Sequence, residues 1–505
     1  MTKEESSNNI NSKKGNNSMQ KVISNSIVYS ISGLLLKCFS FFLLPLYTAY
    51  LSTEDYGIIN IANSFLATMG FVVAFSVYSA VMRFYVDLKD DIIKLKRFYG
   101  SIVIFVFASS LAFFVLFSIG RSLLCKYVFL NIDFYPIVVV CLLTLVVNCQ
   151  QTIYDNILRS QQKAMKSSIM TFVYFFLQVG LTILFVVYFK LGAFGALTAT
   201  LIATVVYTIC FWLDMIIHRS ITFCVDWRLL KDALKYSLPI MPHNLSTYIA
   251  TLISSVLIGN TASVATLGIY SVAAQFGNIA DTIQSYVNNA YAPWLYERLH
   301  DRDSGYKNTI RTIANSLTAV IGFFLIGIAL FAQDYILLFL DTSYHDAWRF
   351  VPLIVSVYTI KIVYYFYVNV LFYFKKASRI LFVSTLTSSM VNILLSSFLI
   401  PLFGAYGSIL ADAIAMIVRV IIIVCISRKF EYIGLSIIDF IRQIVIIFIA
   451  IYGGMSISYM YSKSNFSILN FLFKVIVILG YAGIYCYIYR KQFIALIHKI
   501  RKKVH

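Results

Sequence analysis

Apolar runs longer than the ~18 residues a helix needs to cross a bilayer recur from one end of this 505-residue chain to the other. One such run constrains a fold little, but a dozen or more leave room for a single class. In hydrocarbon every backbone N–H and C=O must find a partner within the protein, so runs of this length have to be helices packed as a bundle. Composition enters only as support: 60% of residues are hydrophobic, 12% are charged and mean hydropathy is +0.81, about half the charge of an ordinary soluble domain. A soluble enzyme, a nucleic-acid-binding module and a disulfide-stapled secreted domain are excluded. The expected fold is an all-α membrane protein with 14 transmembrane helices.

The formal charge of +19 is a topology signal. With the connections numbered alternately inside and outside from an inside N-terminus, 32 of the 41 Lys and Arg fall inside and 5 outside, while Lys37, Lys361, Arg419 and Lys474 lie within spans. That asymmetry is the positive-inside bias, and it puts both termini in the cytoplasm. The first apolar stretch is too long for a signal peptide and is read as an uncleaved span. Residues 1–21 are polar and expected to be disordered. The eight cysteines show no C-x-x-C spacing and read as small packing residues.

Internal similarity falls at one offset. Gly192-Ala193-Phe194-Gly195 returns as Gly404-Ala405-Tyr406-Gly407, Gly57-Ile58 as Gly268-Ile269, and Lys163-Ala164 as Lys376-Ala377, each 211–213 residues on and at the same place in the helix order. The organisation expected is a cytoplasmic tail (1–21), a six-helix bundle (22–217), a cytoplasmic linker (218–235), a second six-helix bundle (236–427), two additional helices (428–489) and a basic cytoplasmic tail (490–505). Six is even, so both copies enter the membrane in one orientation. They should be related by a pseudo-two-fold axis along the membrane normal, which in transporters puts the substrate site between the halves.

Polar stripes indicate which helices line such a site, because a helix facing lipid needs none. At ~100° per residue, span eight (266–291) gathers Gln275, Asn278, Asp281, Thr282, Ser285, Asn288 and Asn289 on one face. Span seven (236–258) gathers His243, Asn244, Thr247, Thr251, Ser254 and Ser255, and span one (23–50) gathers Ser26, Ser30, Gly33, Lys37 and Ser40. Span two (57–82) adds Asn60, Asn63 and Ser64. Stripes of Ser, Thr and Gly also serve as helix–helix packing surfaces, but four amides and a carboxylate on span eight exceed that need. Lys37, Lys361, Asp412 and Arg419 lie within spans, where an uncompensated charge costs ~2.5–3.5 kcal/mol. Asp412 and Arg419 are about 10.5 Å apart in rise, so they can pair only through the arginine's reach or a bridging group. Arg83, Asp214 and Lys474 fit interfacial snorkelling at least as well as a site. The reading is a hydrophilic, partly cationic cavity.

Catalytic parts are missing. The sequence has no P-loop, H-E-x-x-H or G-x-S-x-G, hence no signature of ATP-driven transport, zinc proteolysis or serine hydrolysis. The longest outer connections offer about 15 residues, too few for a catalytic domain. No catalytic residue, metal or nucleic-acid partner is expected.

The helix order and four motifs carry a resemblance. Leu51-Ser52-Thr53-Glu54-Asp55-Tyr56-Gly57 follows span one, and Leu158-Arg159-Ser160-Gln161-Gln162-Lys163-Ala164 follows span four. Ser237-Leu238-Pro239-Ile240-Met241-Pro242 opens span seven, and Leu267-Gly268-Ile269-Tyr270-Ser271-Val272-Ala273 opens span eight. With the 6+6+2 arrangement they resemble the multidrug/oligosaccharidyl-lipid/polysaccharide exporter superfamily, in particular its polysaccharide branch with the Wzx-type O-antigen flippases, over residues 22–490.

The resemblance implies a flippase that turns undecaprenyl-pyrophosphate-linked oligosaccharide units (O-antigen, capsule or exopolysaccharide) from the inner to the outer leaflet of a bacterial inner membrane. Alternating access would do this, coupled to a proton or sodium gradient and using no cofactor. Its partners would be the bilayer, the lipid-linked substrate, a glycan polymerase and a chain-length regulator. Spans one, two, seven and eight line the cavity in such proteins. The substrate-binding candidates are Lys37, Arg83, Asn60, Asn63, His243, Asn244, Gln275, Asn278, Asn288, Lys361 and Arg419, with Lys37 and Arg83 suited to the pyrophosphate. Relatives carry an acid–base pair late in span seven where this chain has Ser254-Ser255-Val256, so Asp281 and Asp412 are the ion-coupling candidates instead. The lipid II flippases carry more cavity arginine than is found here. A multidrug/cation antiporter of the same superfamily is the alternative, and it would favour a net-negative cavity.

Overall fold

A computed structural model of the chain describes residues 28–29, 31–374, 378–460 and 465–488. The tails read as disordered (1–21) and basic (490–505) lie outside the described residues. Every regular element described is helical. Among the described residues twelve helices are long and apolar enough to cross a membrane: Ile31–Tyr50, Thr53–Val73, Ile92–Ile119, Phe134–Ser160, Ala164–Tyr188, Gly192–Ile217, Tyr306–Phe339, Thr342–Tyr373, Leu381–Phe403, Ala405–Phe430, Ile437–Met460 and Ile468–Ile488. They correspond to spans one to six and nine to fourteen. Spans seven and eight are helices too, Met241–Thr261 and Val264–Asp301. They fall short on apolarity alone, and they are two of the helices whose polar stripes mark them in the sequence.

Span two departs from the continuous helix expected over 57–82. It stops at Val73 and resumes as Tyr78–Leu88, with Phe75 at φ 48 and Ser76 at φ 51, a left-handed conformation unusual outside glycine. The interruption is stabilised locally. The Ser76 N–H donates to the Phe71 carbonyl at 3.0 Å, and the Ser109 hydroxyl donates to the Val73 carbonyl at 2.7 Å.

The repeat seen in the sequence has a conformational basis. Gly192 and Gly404 both take positive φ (54 and 57) where their helices begin, as a sharp helix entry demands. The glycines three residues on, Gly195 and Gly407, pack against the end of the preceding span where a Cβ would collide with Leu191 and with the Leu399 carbonyl.

The chain forms two compact units: residues up to Leu51 with Ile58–Val256, and Ser52–Gly57 with Leu257 onward. In the first, a connecting helix Trp227–Ser237, capped by the Asp226 side chain, is fixed to span three. There the Thr222 N–H donates to the Lys96 carbonyl and the Asp226 N–H to Ser101 Oγ, at 3.1 and 2.8 Å. Span seven closes against span two through Thr68 Oγ1, which donates to the Tyr248 carbonyl at 3.1 Å, and through Phe71 and Tyr248, whose rings are 4.8 Å apart.

In the second unit, span nine is the post to which the two additional helices are tied. Near one end Arg311 pairs with Asp439 of span thirteen at 2.6 Å, and Asn315 bonds both Asp439 and Gln443. Near the other, Lys474 of span fourteen reaches Asp334 at 2.7 Å and Gln333 at 2.8 Å. Lys474 is fully buried, so it is not the interfacial snorkeller that its place in the sequence allows: a carboxylate and an amide on span nine make burial tolerable. The starts of spans two and eight also meet here, reciprocally. A Cβ on Gly57 would strike the Val264 carbonyl, and one on Gly268 the Thr53 carbonyl, so the repeat-related glycines exchange identical backbone contacts. Tyr344 reinforces the crossing by donating to the Ser52 carbonyl at 2.7 Å.

Candidate functional site

Span eight holds 38 residues, about 57 Å of helix at 1.5 Å per residue, and its polar face meets span ten. The contacts keep nearly one offset: Asp281 with Lys361, Ser285 with Tyr365, Asn288 with Asn369. A constant offset of ~80 means two helices running in the same direction in register, each turn adding one polar pair. Gly277 lets them approach, because a Cβ there would lie 2.6 Å from Ile354 and 2.8 Å from Tyr358.

The centre of this seam is charged and closed on itself. Lys361 Nζ lies 2.6 Å from Asp281 Oδ1, with the side chains 16% and 35% exposed. The Tyr365 hydroxyl donates to the same oxygen at 3.1 Å and contacts Ser285 Oγ at 2.9 Å. The rings of Tyr358 and Tyr365 lie 5.5 and 5.3 Å from the ammonium, within cation–π range. Toward the C-terminal ends Asn369 donates to Asn288 at 2.7 Å, and beside the ion pair Gln284 donates to the Tyr358 carbonyl at 2.8 Å. Tyr358, Tyr365 and Asn369 share the side of span ten that carries Lys361 in the sequence, and the structure supplies their partners on span eight. Gln284 has no such signal, because it falls off the polar stripe of span eight.

Asp412 and Arg419 of span twelve do not bridge to each other. Each takes a partner on span eleven: Asn392 donates to Asp412 at 2.7 Å, and Arg419 Nε donates to Ser388 Oγ at 2.8 Å. The guanidinium also lies 5.9 Å from the Tyr364 ring of span ten. Span eleven, which showed no intramembrane charge, thus supplies the groups that hold both.

The remaining candidates are placed as follows. In the first unit Lys37 is exposed, with no carboxylate partner among the described residues. Asn60 has a buried Oδ1 with no hydrogen-bond partner, and Asn63 is exposed. Arg83 is exposed and held by Asp87 one turn on at 2.6 Å. His243 and Asn244 open span seven, where Asn244 donates to Ser79 at 3.4 Å. In the second unit Gln275 and Asn278 are exposed.

The first unit also holds a carboxylate cluster not collected from the sequence. Asp214 accepts from the Tyr154 hydroxyl at 2.8 Å and pairs with Lys166 and His218, while Tyr207 donates to Asp155. These partners make Asp214 a member of a bonded network. Among the described residues no group of three His, Cys, Asp or Glu could hold a metal ion. Outside the spans, the Asp341 carboxylate ahead of span ten is held below the usual carboxylate range by the Ser343 N–H that it accepts.

Chemically, the span eight–ten seam offers amides, hydroxyls and tyrosine rings around an internally neutralised ion pair, a surface for binding polar ligands by hydrogen bonds.

A search of curated proteins finds no match. Among solved structures the chain resembles a lipid II flippase, MurJ, in an inward closed conformation, with 14% identity, 92% of this chain and 100% of that one covered, and a TM-score of 0.69. It also resembles an inward-facing multidrug resistance MATE transporter of the MOP superfamily, with 16% identity, 79% and 98% covered, and a TM-score of 0.54. At these identities the likeness is one of fold. Residues 49–349 match the family described as polysaccharide biosynthesis protein. That match spans more than half of a chain whose fold is the one expected of such a transporter, and the chain belongs to the polysaccharide biosynthesis protein family.

Proposed function

We propose that this protein is a flippase. It moves undecaprenyl-pyrophosphate-linked oligosaccharide units, destined for O-antigen, capsule or exopolysaccharide, from the inner to the outer leaflet of a bacterial inner membrane, with both termini cytoplasmic. The activity is transport by alternating access of the two units. The observation that carries the reading is the bonded face of spans eight and ten in a chain of this family. Amides and hydroxyls at successive turns match sugar hydroxyls as donors and acceptors, and the tyrosine rings add flat apolar faces. Two proteins of similar fold, a lipid II flippase and a multidrug resistance transporter, support translocation as the class of activity.

Gradient coupling follows from the Lys361–Asp281 pair. A proton taken up by Asp281 removes the charge that holds Lys361, and the freed ammonium can turn to an anionic or hydroxyl-rich ligand. Proton uptake on Asp281 then favours ligand binding at Lys361, and ligand binding favours proton uptake in return, which is thermodynamic linkage. Asp412, bonded to Asn392, is the second coupling candidate. A glycan polymerase and a chain-length regulator would act on the delivered units.

Deleting the gene in its host tests the proposal. Surface glycan should be lost, and complete lipid-linked units should accumulate on the inner leaflet, where the trapped sugar identifies the cargo. Normal glycan export with new sensitivity to cationic drugs would instead establish the antiporter.

A further inference from the structure

Three basic side chains lie deep within spans of the second unit, and two of them are neutralised. Lys361 has Asp281 and Lys474 has Asp334. Among the described residues Arg419 has no carboxylate partner: the nearest acid along its own helix, Asp412, is occupied by Asn392. Such a charge inside a membrane helix is costly, and it marks a place where a counter-charge is supplied from elsewhere.

Donor accounting sharpens the point. A guanidinium carries five N–H donors in one plane. Among the described residues only Nε is used, toward Ser388 Oγ at 2.8 Å, which leaves the four terminal donors unclaimed by protein. Ser388 acts as an acceptor here, because its own hydrogen goes to the Thr385 carbonyl at 3.0 Å. The hydroxyl thus fixes the orientation of the fork, and the Tyr364 ring at 5.9 Å flanks it. One turn away on the same face of span eleven, Ser384 is 1% exposed and its Oγ has no hydrogen-bond partner. An oriented planar fork, with a buried, unbonded hydroxyl one helical turn from the serine that fixes it, is an arrangement for a multi-oxygen anion, since Arg binds phosphate oxygens in pairs.

We propose that Arg419, with Ser384, forms a diphosphate subsite in the second unit. The proposal rests on the lipid-linked substrate argued above and assigns its anionic group to span twelve. Lys361 is occupied by Asp281, so it serves the coupling pair and the sugar-facing seam. Ser388 and Tyr364 are positioning residues.

The test uses the full-length protein in nanodiscs and three probes: farnesyl diphosphate, farnesol and inorganic pyrophosphate. Wild type should bind farnesyl diphosphate at least ~10-fold more tightly than farnesol, the order of magnitude of one charge-assisted pair. Arg419→Gln should lose that margin and keep its farnesol affinity. Arg419→Lys, a point charge without the fork, should fall between, whereas Lys126→Gln, on the short connecting helix Arg121–Tyr127 of the first unit, should change nothing. Competition by inorganic pyrophosphate would identify the diphosphate itself as the ligand, and binding of the lipid form alone would add the chain as a required part. In either arm the affinity must depend on Arg419. A folded R419Q that binds farnesyl diphosphate like wild type overturns the subsite. Should R419Q not insert, R419K decides, and unchanged affinity there is equally fatal. The deletion experiment is read separately: normal glycan export in the deleted host with Arg419-dependent diphosphate binding would discard the flippase reading and retain the subsite.

Discussion

Two lysine–aspartate pairs lie within the spans of the second unit, with the same chemistry and nearly the same length: Lys361–Asp281 at 2.6 Å and Lys474–Asp334 at 2.7 Å. Their surroundings differ. Lys474 and Asp334 are 0% and 6% exposed, whereas Lys361 and Asp281 are 16% and 35% exposed. The first pair is completed by the amides of Gln333 and Asn470, which leaves it no reason to open. The second is completed by hydroxyls and aromatic rings, from Tyr365, Ser285 and Tyr358, groups that can exchange partners with a ligand. Distance alone does not separate a structural ion pair from a functional one. Access and the kind of neighbour do.

The largest expected effect belongs to the buried pair. Removing one member leaves the other charged and unpaired in a dry site, which costs about 3–5 kcal/mol. Lys474→Met and Asp334→Leu, each alone, should therefore sharply reduce the amount of folded protein recovered from membranes and lower its melting temperature. The double substitution should restore most of both, because replacing a whole buried pair by apolar groups is often neutral. A double variant no better than the singles would show that the pair does more than compensate charge.

The span eight–ten pair should respond in the opposite sense. Lys361→Met should reduce glycan export by ten-fold or more in a complementation assay while melting temperature and membrane abundance stay close to wild type. Asp281→Asn should leave binding measurable and flatten the dependence of transport on the ion gradient. If both variants instead melt early and export normally per folded molecule, the contrast between the pairs collapses and both are structural. The exposure of Asp281 makes any stability loss smaller than for Asp334, since solvent screens the charge left behind.

The difference between these pairs was only half legible in the sequence. Asp281 and Lys361 both stood out as charges in apolar runs, but nothing in a stripe calculation joins residues 80 positions apart; the parallel packing of two helices does. Lys474 fits the membrane interface in the sequence because span nine reads as 312–333, which leaves Asp334 just past its end, in a loop. The helix runs on to Phe339, and those few residues turn a snorkelling lysine into a buried pair. The spans were legible because hydrophobic runs report directly on lipid contact. The break in span two was not, since Phe75 and Ser76 are neither glycine nor proline and one of the two bonds that stabilise the break comes from Ser109 of span three. The glycine repeat was legible for a physical reason: a positive φ and a close approach both forbid a side chain.

The smallest effects give the most discriminating version of the contrast. Tyr365→Phe removes one hydroxyl from Asp281, which keeps its lysine, and Ser285 in turn loses a partner. Asn470→Ala removes a donor from Gln333 while Lys474 still reaches both Gln333 and Asp334. Y365F loses a bond to a carboxylate and one to Ser285, and N470A loses neutral bonds to Gln333 and Ser458, each on the order of 1–3 kcal/mol in total, so the two substitutions are comparable in size. They should differ in where the loss appears. N470A leaves a fully buried amide short of a donor, so it should lower the melting temperature by a few degrees and leave export per folded molecule unchanged. Y365F sits where ligand and protein exchange bonds, so it should melt within a degree or so of wild type and lower export roughly two- to five-fold. Measuring both quantities on both variants decides the matter: equal melting shifts with equal export would mean that the tyrosine is packing, and that the face of spans eight and ten is no more a working surface than the tie between spans nine and fourteen.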